Sequence, residues 1–281
     1  MGMLPFRQVD VFSSEPWRGN ALAVIHDADR LSDAEMADVA RWTNLSETAF
    51  LCAPTDAAAD YRVRIWTTSG ELPFAGHPTL GSAHAWLEAG GRPQGEHVVQ
   101  QCGAGLVTVR RTPRLGFAAP PLRRSGEVDA ALRDRVVRAL GVDPADVDAM
   151  AWVDNGPGWV GVDLGSARAV LAMAPDVASF TDLKVCLVGR WDSGTARELG
   201  ADVEVRAFYA SGQDFGEDPV TGSANAGLAQ WLIGTGALPE SYVARQGSAI
   251  GRDGRVWVEA RGDAVWVSGD TVTRIEGSIT L

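Results

Sequence analysis

The 281-residue chain is long enough for one large domain or two modest ones, each with an ample core. Its formal charge of −11 argues against a phosphate-backbone partner such as DNA or RNA, because nucleic-acid binding rests on Lys and Arg neutralising phosphates. No run reaches the ~20 apolar residues of a membrane span, and Lys184, the only lysine, has no local context for a Schiff base, so cofactor-free chemistry is expected.

Cys52, Cys102 and Cys186 are widely separated, form no CxxC pair and have no histidine at metal-ligand spacing. They read as three buried thiols in a reduced setting, with no metal site. The segment "MGMLPFRQVDVF" lacks a basic stretch followed by an apolar one. A soluble, cytoplasmic protein is the expectation.

In chain order, "FRQVDVF" alternates as a strand does and "ALAVI" is a short buried run. Ser32 and Glu35 make a capping-box pattern that opens a helix ending at Asn44. "YRVRIWTT" is a predicted strand, followed by a polar turn, "SGELPFAGHP", and a small-residue helix, "TLGSAHAWLEAGG", stopped by Gly90 and Gly91. "HVVQQ", "LVTVRR" and "LGFAAP" read as a meander, and "PPLRRSGEVD" as a linker dividing the chain near residue 122. The second half opens with the helix "DAALRDRVVRALG". Strands then flank the turn "NGPG", and "VCLVGRW" and "DVEVRAFYA" extend them. The small-residue helix "PVTGSANAGLAQWLIGTG" and alternating C-terminal strands complete this half. The fold class is α+β, with helix-bearing halves 1–122 and 123–281 and a last strand free to pack back on the first half.

"VRIWTTSG" (63–70) lies over "VRAFYASG" (205–212) at an offset of 142. Both copies run into a glycine-bearing loop and a small-residue helix with a Trp-Leu pair, Trp86-Leu87 and Trp231-Leu232, where the offset drifts to 145. Two related halves, each offering a helix N-terminus, could together hold an anion on unpaired N–H groups. Gly76 with Thr79, and Gly222 with Ser223, would let backbone approach a ligand closely.

His77 and the set Glu217, Asp218 and Ser223 are the polar side chains of these loops. Each has an ordinary alternative. Asp218 before Pro219 suits a helix cap, Ser223 can fill space in a first turn, and His77 can be a satisfied core histidine. Glu47, in "NLSETAFL", can be a strand-end surface carboxylate. Trp42, Trp86 and Trp231 fall on helix faces where core packing accounts for them. Trp17, Trp66 and Trp159 are candidates for an aromatic substrate wall, with no spacing argument to choose among them.

"VDVFSSEPWRGNALAV", "NLSETAFL", "TTSGELPFAGHPTLGSAHA" and "GEDPVTGSANAGLAQWL" together resemble the phenazine-biosynthesis PhzF-like family, from about residue 4 to the C-terminus. The resemblance implies the diaminopimelate-epimerase fold: two pseudo-symmetric domains, each a curved, mostly antiparallel or mixed sheet wrapped around a central helix. It also implies an active site in the cleft between them and a homodimer. The family's catalytic glutamate lies in N-L-S-E-T, which gives that role to Glu47. Its accessory polar residues match His77, Asp218 and Ser223, with Ser46, Gly76, Thr221 and Gly222 as substrate-binding positions. Related racemases place two cysteines where Ala75 and Thr221 stand here, which argues against two-thiol chemistry. Gly19-Asn20-Ala21 departs from the proline that many relatives carry after the asparagine, a change that concerns the turn.

The expected activity is a cofactor-independent isomerisation. Glu47 would move a proton on a small carboxylate-bearing, possibly dihydroaromatic, substrate, with burial beside Phe50 and Leu51 making it a stronger base. Alternatives are a cofactor-independent racemase or epimerase and a catalytically silent small-molecule binding protein.

Overall fold

The computed structural model describes residues 2–211 and 214–281. Gly212, the last residue of the second repeat copy, lies outside them. The chain forms two compact units, Met1–Ala118 with Ser268–Leu281, and Ala119–Val267. The passage between them comes immediately before the Pro- and Arg-bearing stretch. Part of that stretch is itself a strand, Arg124–Glu127, where a linker is expected.

The first unit contains β1 (Met3–Val11), β2 (Asn20–Ile25), α1 (Asp33–Thr43), β3 (Thr48–Cys52), β4 (Tyr61–Trp66) and β5 (Glu71–Leu72). α2 (Gly76–Glu88), β6 (Val98–Cys102), β7 (Gly105–Arg110) and β8 (Leu115–Ala118) follow. The terminal strand Thr271–Thr280 pairs antiparallel with β1, which pairs antiparallel with β2. β2 runs parallel to β3, β3 antiparallel to β4, and β4 parallel to β6, with β5 returning beside β4. β7 and β8 extend the sheet antiparallel.

α1 begins where the sequence places it. The Ser32 side chain accepts from the Glu35 N–H, the Glu35 carboxylate accepts from the Ser32 N–H, and Asn44 ends the helix in the left-handed conformation. Met36, Val39 and Ala40 pack on Leu4, Ile25, Phe50, Cys52 and Trp66. Trp42 is 82% exposed, so core packing does not account for it: on this short helix it lies outside the buried stripe. Trp66 belongs to this core and Trp17 is exposed.

α2 packs against the other side of the sheet and touches β1, β2, β3, β6, β7 and β8. A helix covered on nearly every side must be apolar or small all round, which is why its residues run Gly-His-Pro-Thr-Leu-Gly-Ser-Ala. It starts at Gly76, three residues before the expected Thr79. His77 and Pro78 therefore lie in its first turn, where a missing N–H costs no helical hydrogen bond.

The second unit contains β9 (Arg124–Glu127), α3 (Ala130–Leu140), β10 (Ala149–Asp154), β11 (Val160–Ser166), α4 (Ala167–Ala172) and β12 (Lys184–Arg190). α5 (Ser193–Leu199), β13 (Val203–Ser211), β14 (Asp214–Asp218), α6 (Gly222–Gly234), β15 (Ser241–Gln246) and β16 (Gly254–Arg261) complete it, and the chain returns to the first unit within β17 (Ala264–Gly269). α4 and α5 are too short for a periodic signal, and β14 lies in what the sequence presents as a loop.

The pairing pattern of the first unit recurs here. β9–β10 and β10–β11 are antiparallel, β11–β12 parallel, β12–β13 antiparallel, β13–β15 parallel and β15–β16 antiparallel, with β14 returning beside β13. Each unit is thus a mixed sheet around one central helix, α2 or α6.

Pairing also fixes the register of the repeat. Trp66 pairs with Glu71, and Phe208 pairs with Glu217. The offset is therefore 142 before the hairpin loop and 146 after it, the second loop being four residues longer. The Trp-Leu pairs, at 145, are consequently one position out of register: α2 and α6 start at Gly76 and Gly222, 146 apart.

Candidate active site

The hairpin and helix start of the first unit bring two of the expected residues together. Glu47 stands immediately before β3, and His77 is the second residue of α2. His77 Nδ1 lies 3.1 Å from Glu47 Oε2, with the imidazole 4% and the carboxylate side chain 17% exposed. Glu47 is therefore not a solvated strand-end group. It is a mostly enclosed carboxylate in contact with a group that can either accept or donate a proton. Ala75 caps α2 without a side-chain hydrogen bond, leaving the backbone N–H groups at Gly76 and His77 without a cap from that residue. Ser46 is partly buried beside Glu47 in sequence.

In the second unit, Asp218 is the last residue of β14 and Thr221 is the N-cap of α6. Asp218 is therefore not the helix cap. Its Oδ2 accepts from Thr221 Oγ1 at 2.6 Å. Ser223, one residue into the helix after Gly222, accepts at Oγ from Trp159 Nε1 at 2.9 Å, and its carbonyl accepts from Asn155 Nδ2 at 2.9 Å. With its acceptor side engaged by an indole N–H, which can only donate, the Ser223 hydroxyl is left to donate its own hydrogen. Trp159, one of the three candidate aromatics, is buried and serves as this donor. Glu217 forms a two-pronged ion pair with Arg206, at 2.9 and 2.8 Å, and is occupied structurally.

Both helix starts are tied to the next strand by a buried glutamine that no local motif marks. Gln100 Nε2 donates to Thr79 Oγ1 at 3.0 Å, and its Oε1 accepts from Tyr61 Oη at 2.9 Å. Gln246 meets Thr221, Asn225 and the Asp218 carbonyl. The two glutamines are 146 apart, the spacing of the helices themselves, and that shared offset is the signal that would have found them.

Cys52, Cys102 and Cys186 are all buried and free, and burial pushes each thiol above its ordinary value. Thiolate chemistry is disfavoured at all three positions. Among the described residues, no group of three or more His, Cys, Asp and Glu is placed to hold a metal ion, and no helix is long and apolar enough to cross a membrane.

The family model described as "Phenazine biosynthesis-like protein", PhzC-PhzF, matches residues 9–277. Antisense-enhancing sequence 1 of Schizosaccharomyces pombe is 35% identical, covering 97% of this chain and 97% of its own. The trans-2,3-dihydro-3-hydroxyanthranilate isomerase of Pseudomonas chlororaphis is 33% identical, covering 97% of this chain and 98% of its own. Among solved structures, the Bacillus anthracis phenazine biosynthesis protein of the PhzF family matches over 100% of both chains with a TM-score of 0.82 at 20% identity, a likeness of fold.

Proposed function

The chain belongs to the PhzC-PhzF family of phenazine biosynthesis-like proteins and is an isomerase, and from that premise we propose that it isomerises a small carboxylate-bearing substrate by moving a proton on carbon, with Glu47 as general base and then general acid. The observation that carries this reading is the enclosed contact of Glu47 with His77, 3.1 Å apart. A carboxylate removing a proton from carbon needs two things: a substrate carbon acidified by a neighbouring π-system, and a partner that holds the carboxylate in place through both transfers. His77 supplies the second. Its ring can take up hydrogen-bond donation as Glu47 cycles between charged and neutral forms, so the base need not be re-solvated between steps.

Backbone N–H groups at the start of α2, where the N-cap residue Ala75 makes no side-chain hydrogen bond, suit a substrate carboxylate or the charge that develops when the proton leaves. Ser46 and Gly76 would contact the substrate alongside them. In the second unit, Asp218 and the hydroxyl of Ser223 are proposed to orient the substrate, with the amides of Thr221 and Gly222 beside them. The substrate class is a cyclic or dihydroaromatic amino acid, as in the relatives named for trans-2,3-dihydro-3-hydroxyanthranilate. We further propose that the enzyme works as a homodimer without a cofactor.

The test is solvent hydrogen exchange. Incubated with trans-2,3-dihydro-3-hydroxyanthranilate in deuterated water, the wild-type enzyme converts it with deuterium incorporated at carbon. Glu47→Gln folds normally but loses roughly 10²- to 10⁴-fold in both turnover and exchange, the span that general acid–base catalysis supplies. Undiminished exchange in the variant removes Glu47 from the mechanism. Label acquired with inversion of a single-enantiomer amino acid, and no double-bond shift, would replace isomerisation with racemisation.

A further inference from the structure

Gln246 is fully buried and uses all four of its hydrogen-bonding positions. Its Oε1 accepts from the Thr221 N–H at 3.0 Å and from Asn225 Nδ2 at 2.8 Å. Its Nε2 donates to the Asp218 carbonyl at 3.0 Å and to Thr221 Oγ1 at 2.9 Å. The orientation of the amide is set by these partners, since a backbone N–H can only donate and a backbone carbonyl can only accept. Asn225 is fixed in the same way, because its Nδ2 also donates to the Thr221 carbonyl at 2.9 Å.

The direction of the next bond follows. A threonine hydroxyl has one hydrogen, and with Gln246 donating to Thr221 Oγ1, that hydrogen is free for Asp218 Oδ2, 2.6 Å away. The short O–H···O distance suits a charge-assisted bond to an ionised carboxylate. The first unit supplies an internal control. There the matching glutamine, Gln100, tethers α2 through Thr79, and the positions matching Thr221 and Asp218 are Ala75 and Leu72. Holding the helix start against the sheet thus needs the glutamine but neither a hydroxyl at the N-cap position of Thr221 nor a carboxylate at the position of Asp218. Those are present only where Asp218 is.

We propose that Gln246 is a positioning residue that acts through Thr221: it turns the Thr221 hydroxyl toward Asp218 and so holds that carboxylate in one orientation for the reaction. The proposal rests on the functional reading above for Asp218's part in catalysis, but the hydrogen-bond relay itself can be tested without substrate.

The experiment follows the titration of the Asp218 carboxyl carbon by NMR in four proteins: wild type, Gln246→Glu, Thr221→Val and the double variant. Gln246→Glu keeps an acceptor for the Thr221 N–H and for Asn225 but removes the donors to Thr221 Oγ1 and to the Asp218 carbonyl, and loss of the carbonyl bond is common to both backgrounds. Its added charge affects Asp218 in both backgrounds. Loss of the hydroxyl's donation adds a further rise of about half to one pH unit, seen only where Thr221 is present. Equal shifts in the two backgrounds overturn the relay. Should Gln246→Glu fail to fold, Thr221→Val against Thr221→Ser reads the same bond: the valine variant moves the titration up by a similar amount and the serine variant restores it, while no difference between them overturns the proposal. In turnover, Gln246→Glu and Thr221→Val lower kcat more than they raise KM, and Thr221→Ser recovers most of the loss. If trans-2,3-dihydro-3-hydroxyanthranilate is not turned over by the wild type, the proposed substrate class fails and the titration result stands independently.

Discussion

The two helix-start segments of the molecule share a plan and differ in their chemistry. Each has a strand carrying Val-Arg, a return strand whose glutamate grips that arginine, a proline, and a 13-residue central helix beginning at glycine and tethered by a buried glutamine. On this plan the first unit places Glu47 and His77. By strand register the position matching Glu47 in the second unit is Lys184, because Thr48 pairs with Trp66 as Val185 pairs with Phe208. The position matching His77 is Ser223. One copy therefore carries a carboxylate–imidazole pair suited to moving a proton. The other carries a hydroxyl held as a donor and a carboxylate held by a relay, which suit holding a substrate. Duplication explains the shared frame, and changes at a few strand-end and helix-start positions separate the chemistry of the two copies.

The shared frame can be broken unequally. Arg64 and Glu71 form a two-pronged pair at 2.7 and 2.6 Å whose side chains are 21% and 37% exposed, with Asp33 as a second partner for Arg64. Arg206 and Glu217 repeat it with side chains only 8% and 10% exposed. Arg206 also donates to the carbonyl of Met173 and lies 4.7 Å from the Phe208 ring centre. Glu217→Gln leaves a buried guanidinium short of its counter-charge and is expected to cost about 3 kcal/mol. Glu71→Gln, whose arginine keeps Asp33 and water, is expected to cost about 0.5 kcal/mol. Urea unfolding of the two variants measures the difference, and equal losses would mean that burial does not separate the copies.

The parts of this arrangement legible in the sequence are those carried by local pattern. The Ser32–Glu35 box gave α1 its start because capping is decided within four residues. Val-Arg-x-aromatic repeated closely enough to reveal two halves, and four ordered motifs were specific enough to point to the family and its fold. What pairing across the sheet decides was not legible. The Trp-Leu match ran one residue out of register because strand pairing, not residue identity, fixes the offset after the hairpin at 146, and β14 was hidden because five residues ending in Glu-Asp and followed by Pro219 have the composition of a loop. Glu47 and His77, 30 positions apart, were both singled out, but only the parallel β2–β3 pairing and the early start of α2 set them side by side. Gln246 and Asn155 gave no local signal, since a buried amide is recognisable only by the partners around it.

Acid is expected to act on the two units differently. All four histidines, His26, His77, His84 and His97, lie in the first. Burial, aided by the Arg7 guanidinium whose Nη1 is 3.1 Å from His26 Nε2, pushes His26 down to about 4. The unfolded chain takes up a proton near pH 6.5, whereas the folded one does so only near 4. The contribution of His26 is therefore fully present above about 6.5 and is lost as pH falls through that window, by up to about 3 kcal/mol at the bottom. Burial also lowers His84, which adds in the same direction. The capping carboxylates Glu35 and Asp192 are held below their ordinary values by N–H donation at helix starts, so their contributions fade only at lower pH. Amide hydrogen exchange at pH 6.5 and 4.5 should show β2 opening more readily at the lower pH while β11 changes less. His26→Gln should flatten the response of β2, and an unchanged response would assign the acid sensitivity elsewhere.

The smallest difference concerns one glycine in each central helix. Gly81 and Gly227 are 146 apart and occupy the same turn of α2 and α6. A methyl group on Gly81 would come within 2.5 Å of Leu22 Cδ2, the far end of a side chain that can rotate. On Gly227 it would come within 2.3 Å of the Val153 carbonyl oxygen, on a residue held in the β9–β10 ladder opposite Ser125. Alanine gains about 1 kcal/mol of helix propensity at either site, and overpacking costs about 1–3 kcal/mol when the neighbour cannot yield. Gly81→Ala is therefore expected to lie within about 1 kcal/mol of wild type. Gly227→Ala is expected to lose about 2 kcal/mol net, because β10 or α6 must shift to admit the methyl. Thermal unfolding of the two variants reads the gap between them. Matching midpoints would show that α6 is seated less tightly on its sheet than the distance to Val153 requires.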